Sequence, residues 1–143
     1  MTAVTDANTL NLLGLARRGG NLAIGEEPVG DLCQQHKARV VFLAKDAGDT
    51  ICRRAARMAE TGNAPLVTLP WNKAELGSAL GRSTCAIAAL SDQGLASAVL
   101  ARLAQNDESL AGLAQSMSEK TQRQKVRREL KKKQRAANKP VKP

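Results

Sequence analysis

Residues 38–47, ARVVFLAKDA, are apolar without alternation, and this run limits the possible folds more than any other stretch of the chain. A strand with one wet face alternates polar and apolar side chains. A continuous Ala/Val/Phe/Leu run needs cover on both faces, as in a sheet held between helices. Helical and extended signals alternate around it. A first helix, capped by Asp6 or Asn8, is expected to reach about Arg18 with Leu10, Leu13 and Leu15 toward the core. Gly19-Gly20 should stop it. NLAIG reads as a short strand, followed by a helix with Pro28 in its first turn that runs to about His36.

GDTICRRAARMAETGN has the period of an amphipathic helix. Asp49 or Thr50 can cap it, Ile51, Ala55, Met58 and Ala59 line one side, and Gly62-Asn63 ends it. APLVTLP is a strand, NKAELGSALG a helix and STCAIAAL a strand. A last helix, SDQGLASAVLARLAQN, begins at Ser91 or Asp92. The order αβαβαβαβα predicts an α/β sandwich with helices on both faces of the sheet.

Charge divides the chain differently. Residues 119–143 hold eleven Lys/Arg and two acids, net +9, while residues 1–118 hold eleven of each and are neutral. A neutral domain over 1–106 and a basic tail over 107–143, disordered or helical, is the expected organisation. Alone in water such a tail has little to bury. Its cations, among them Lys125, Arg127, Arg128, Lys131, Lys132 and Lys133, suit a polyanion such as RNA. Phe42 and Trp71 are the only aromatic residues, which leaves no set of platforms for stacked single-stranded bases. No apolar run approaches the roughly 20 residues that cross a bilayer. With no secretory segment at the start and no CxxC pair, a cytoplasmic setting with reduced thiols is expected.

Several chemistries are excluded. Gly20 and Gly25 have the spacing of a phosphate loop, but Glu26 and Glu27 stand where Lys and Ser/Thr are needed, so no nucleotide is implied. Cys33, His36, Cys52 and Cys85 lack the paired spacing of zinc modules. Cys52 and Cys85 read as buried small hydrophobes, and His36 as a residue meeting carbonyls at a helix end. Glu26 and Glu27 diverge by about 100° on a helix and suit its dipole better than an acid–base pair. Arg53, Arg54 and Arg57 read as a solvated face. No catalytic set, metal or cofactor is expected. Lys45-Asp46, at the carboxyl end of a buried strand, is the more pointed signal, because ligands of α/β sheets gather there. Gly81-Arg82-Ser83-Thr84 is a compact loop at the other end of the sheet pattern.

The stretches NLLGLARRGGNLAIGEE, ARVVFLAKDA, NAPLVTLPWNKAELGSALGR and AIAALSDQGLA resemble the bacterial YlxQ-like branch of the ribosomal L-seven-Ae/L-thirty-e/S-twelve-e/Gadd superfamily. They span about residues 10 to 104 in the family order. The resemblance implies a three-layer αβα sandwich with a small mixed sheet of about four strands. It also implies RNA binding without catalysis, typically at kink-turns in ribosomal or other structured RNA. In the family a Gly-x-Asn-Glu turn opens the second helix, with a Lys three residues later, and a loop before the last strand adds contacts. Gly25 falls on the glycine, Glu26 on the variable place, Glu27 on the asparagine, Pro28 on the glutamate and Asp31 on the lysine. The implied RNA surface joins Gly25, Glu26, Glu27 and Lys45 to the loop carrying Arg82 and Ser83. The partner is expected to be RNA, including ribosomal RNA or the ribosome, with the free protein monomeric and away from membranes. The alternative is a protein-interaction or ribosome-assembly module that has lost kink-turn recognition at its acidified turn.

Overall fold

The computed structural model describes residues 2–137, and side chains from residue 8 onward. Thr2–Arg18 forms α1, Leu22–Ile24 β1, Glu26–Gln34 α2, Val40–Leu43 β2, Asp49–Thr61 α3, Leu66–Thr68 β3, Lys73–Ala79 α4, Ile87–Leu90 β4 and Gln93–Ala104 α5. A 3₁₀ turn at Glu108–Leu110 leads into α6, Ala111–Ala137. The strand order is β1-β4-β2-β3, with β4 antiparallel to β1 and β2, and β2 parallel to β3.

The all-apolar β2 is fully buried because its alternate residues enter different cores. Val40, Phe42 and Ala44 face one layer, with Leu13, Leu76, Leu100 and Met117, and Val41 and Leu43 face the other, with Val29, Cys33, Ala55 and Ala59. β4 does the same, sending Ala88 and Leu90 one way and Ile87 and Ala89 the other. Helices α1, α4, α5 and α6 thus cover one face of the sheet, and α2 and α3 the other.

Several local details differ from the sequence expectations. Helix α1 begins at Thr2, ahead of both expected caps. Its core face is Leu13 and Ala16, with Leu10 and Leu12 packed beside them, whereas Leu15 is 56% exposed. Residues 13 and 15 are two apart, so one helix face cannot hold both. Gly48, not Asp49 or Thr50, precedes the first turn of α3. The strand expected over STCAIAAL begins only at Ile87, leaving Cys85 in the preceding loop. Cys33 and Cys85 are buried, but Cys52 is half-buried with its thiol 3.5 Å from the Ala47 carbonyl oxygen.

Residues past Asn106 do not stand apart from the sandwich. Leu110, Leu113 and Ala114 pack on the first core and Met117 is buried in it. The buried Gln93 amide donates to the Met117 carbonyl at 3.3 Å, tying α5 to α6. From Lys125 to Ala137 every residue of α6 is exposed. Among the described residues no helix is long and apolar enough to cross a membrane.

Candidate nucleic-acid interface

The direction of β4 decides which loops meet. Because β4 runs against its neighbours, the loop entering it lies at the end of the sheet where β1, β2 and β3 leave. Gly25 N–H donates to the Ile87 carbonyl at 3.1 Å, and Ala44 N–H to the Ala86 carbonyl at 2.9 Å. The loop over 81–84 therefore leads into the same end as Gly25 and Lys45, which corrects the expectation that it lies at the other end.

Gly25 itself sits at φ 98°, ψ 162°, a conformation open to glycine and strained for other residues. It lets the chain turn from β1 straight into α2, so that Glu26 and Glu27 occupy the first helical turn. There they meet the partial positive charge of the helix start. Glu26 is also bonded at 2.8 Å by Arg54 of α3, so that arginine is more than a solvated residue. The Arg54 side chain is 56% exposed, and such a pair is worth no more than about 1 kcal/mol. Its effect is to neutralise one acid beside Gly25. Glu27 and Asp31 are exposed and have no ion-pair partner among the described residues.

Lys45 is exposed just beyond β2, its N–H donating to the Trp71 carbonyl at 2.9 Å. The neighbouring Asp46 carboxylate accepts from Lys73 N–H at 2.8 Å. Asn72 and Glu75 complete the start of α4 as a capping box, at 2.8 and 3.1 Å. These bonds fix the Lys45 loop against α4.

Arg82 and Ser83 are exposed on the loop after α4. Arg82 N–H donates to the Gly77 carbonyl at 2.7 Å, and Cys85 N–H to the Lys73 carbonyl at 3.0 Å, so the loop runs back along α4 toward the sheet end. Gly77 permits this close approach, since a Cβ there would stand 2.7 Å from the Thr84 backbone. A Cβ on Gly81 would stand 3.3 Å from the Arg17 guanidinium. Arg17, at the end of α1, thus reaches the start of this loop at Gly81. Its position at the end of α1 was readable, but nothing in the sequence linked it to this loop.

The tail cations lie elsewhere. Helix α5 returns from the far end of the sheet to the exit of β3, and α6 then runs back, so Lys125, Arg127, Arg128, Lys131, Lys132 and Lys133 extend from the end opposite Gly25. The expected site residues therefore form two groups, one at each end of the sheet. Lys139 and Lys142, counted in the net charge, lie outside the described residues.

Among the described residues no three His, Cys, Asp or Glu side chains gather as metal ligands. His36 stands past α2 with its backbone N–H, 3.0 Å from the Cys33 carbonyl, making the helix-end contact. Burial pushes the Cys33 thiol up in pKa. Burial also raises that of Cys85, against smaller opposing effects of its hydrogen bond to Ile87 and the charge of Arg82. Thiolate is the reacting species, so a raised pKa slows reaction at neutral pH. A disulfide reagent added to the native protein at pH 7 is expected to modify Cys52 rapidly, and Cys33 and Cys85 only on unfolding. Three equally fast thiols would contradict this packing.

The profile described as "Ribosomal protein L7Ae/L30e/S12e/Gadd45 family" matches residues 7–101. The protein named "RNA-binding protein YlxQ" from Enterococcus faecium is 32% identical over 74 residues, which is 51% of this chain and 70% of that protein. A solved structure described as a protein with unknown function from Bacillus halodurans superposes with a TM-score of 0.61 at 28% identity, covering 66% of this chain and 95% of the other. The Giardia lamblia 15.5kD RNA binding protein has the same fold, with a TM-score of 0.56 at 22% identity over 75% of this chain and 90% of its own.

Proposed function

Because the chain belongs to the ribosomal protein L7Ae/L30e/S12e/Gadd45 family, we propose that it is a non-catalytic RNA-binding protein. In this reading it docks on structured RNA, of kink-turn or ribosomal type, through the sheet end that carries Gly25, and its basic helix adds phosphate contacts. The observation that carries the reading is the convergence of Gly25, Lys45 and the Arg82–Ser83 loop at that end. The name of the Enterococcus faecium relative supports the same class of ligand. Phosphate contacts position a protein and base contacts specify. Here Lys45 and Arg82 supply the first, while the backbone at Gly25 and the Ser83 hydroxyl can serve the second. The basic portion acts as a separate electrostatic unit. A cytoplasmic setting and association with ribosomal RNA belong to the same proposal.

The acidified turn favours a target other than a strict kink-turn. At neutral pH Glu27 only accepts hydrogen bonds, where asparagine would also donate, and Asp31 opposes phosphate. An assembly module with a lost RNA surface is the second reading, and those two residues are what favour it. The experiment uses a chain ending at Ser118. Arg82→Ala is expected to weaken its binding to a structured RNA by roughly 1–3 kcal/mol, the scale of one good bidentate contact. Glu27→Asn with Asp31→Lys is expected to strengthen binding to a kink-turn RNA. If neither change moves the affinity, the surface does not meet RNA and the second reading stands.

A further inference from the structure

At the end of the sheet away from Gly25, α6 crosses the starts of β2 and β3 and leaves a groove of about 340 Å³. Arg39, Lys120, Arg123 and Arg127 line it, together with His36 and Asn63. Lys120, Arg123 and Arg127 recur at helical spacing and continue the face of α6 that Met117 presents to the core. The docked stripe of the helix turns basic where it passes the groove.

Arg39 is the informative residue. It stands immediately before β2, half-buried, and its Nε is buried without a hydrogen-bond partner among the described residues. Among the described residues the single ion pair is Arg54 with Glu26, so no carboxylate neutralises Arg39. A partly desolvated guanidinium with no counter-charge gains more from an anion than a solvated one does.

Negative features near the groove are weaker. Helices α2 and α3 both end here, with His36 and Asn63 in the left-handed conformation at φ 56° and 52°. The carbonyls of Leu32 and Ala59 are closed by N–H groups of Lys37 and Ala64 in the same turns, at 3.0 and 2.9 Å. Each helix end carries about half a negative charge. Glu60 stands in the adjoining cleft, beyond Lys120. Glu119, one turn before Arg123 on α6, shares a further cleft with Arg123 and Arg127, so four full cations exceed the nearby negative charge by about one. His36 and Asn63, where glycine would be the least strained choice, put polar side chains at the rim.

We propose that this groove is a second RNA site, which holds the phosphodiester backbone of a strand separate from the one met at the Gly25 end. It takes RNA as its polyanion from the reading above, but it shares no residue with that surface. Arg39 and Arg123 contact phosphates from opposite walls of the groove, and Lys120 and Arg127 extend the track along α6.

The test uses the full chain and a fluorescent polyuridylate of about twelve nucleotides, which cannot fold into a kink-turn. Arg39→Gln with Arg123→Gln is expected to lower affinity about ten-fold more than Lys131→Gln with Lys132→Gln, which removes equal charge from the projecting part of α6. The logarithmic salt slope should fall by about 1.4, at about 0.7 for each lost contact. The ring protons of the single histidine, His36, should shift as oligonucleotide is added to the parent and stay still in the groove variant. Arg123→Gln alone, on an exposed turn of α6, repeats the comparison should the Arg39 substitution disturb folding. Equal losses from both pairs, with an unmoved histidine, would overturn the proposal and leave only diffuse attraction. Failure of the Arg82 test with success here would remove the kink-turn reading and keep this site.

Discussion

A chain ending at Ser118 is expected to lose about two to three orders of magnitude in affinity for RNA of arbitrary sequence at low salt. Residues 119–143 carry net +9 and what remains is neutral. Every residue of α6 from Lys125 to Ala137 is exposed, so its cations are free to meet phosphate without rearrangement of the sandwich. If six to eight of them do so, the slope of log affinity against log salt should be about −4 to −6 on a single strand and steeper on a duplex. Fluorescence anisotropy between low and physiological salt measures both slopes. The shortened chain should show a slope near zero on an unstructured oligonucleotide. An unchanged slope would sink the assignment of the electrostatics to this helix.

A chain ending at Asn106 is expected to behave quite differently, losing about 3–5 kcal/mol of stability against the chain ending at Ser118. Met117 is 3% exposed, and Leu110, Leu113 and Ala114 pack beside it. Burying a Met or Leu side chain contributes about 1.5–3 kcal/mol, and partial burial proportionately less. Removing 107–118 also takes away the carbonyl that accepts from the buried Gln93 amide, leaving that group to find water. For a domain of this size the loss lowers the melting temperature by roughly 10–20 °C. Urea unfolding of the two shortened chains makes the comparison without RNA. Equal midpoints would place the boundary of the cooperative unit at Asn106. We propose instead that it lies after Ser118, with the basic extension beginning there.

Much of the fold was legible because its signals are local. The unbroken VVFL run, the stop at Gly62-Asn63 and the cap at Asp92, whose carboxylate accepts from Leu95 N–H at 2.8 Å, each specify their element within a few residues. The direction of β4 was not legible, since a short run such as IAAL fits parallel and antiparallel neighbours equally well. That one choice decides whether Arg82 lies near Lys45 or far from it. The docking of α6 left a trace that composition hid. Leu110, Leu113, Ala114 and Met117 recur at helical spacing, but they stand among polar residues in a segment dominated by charge. The pairing of Arg54 with Glu26, 28 residues apart, and the approach of Arg17 to Gly81 had no local signature at all. For the candidate site, the residues were readable one by one, and their division between the two ends of the sheet was not.

The position of β4 also bears on how the chain assembles as it is made. Among the described residues β1 pairs with β4 alone, and its first pair joins Leu22 to Leu90. At about 5–20 residues per second, synthesis takes roughly 3–14 seconds to span that interval. Through that time β2 and β3 can pair in parallel while α1 and β1 wait beside them, with the long loop between β1 and β4 still to be closed. β4, the last strand in sequence, lies between β1 and β2, so the sheet is completed in its middle rather than extended at an edge. A chain that ends before Ala88 therefore lacks the strand that joins β1 to β2.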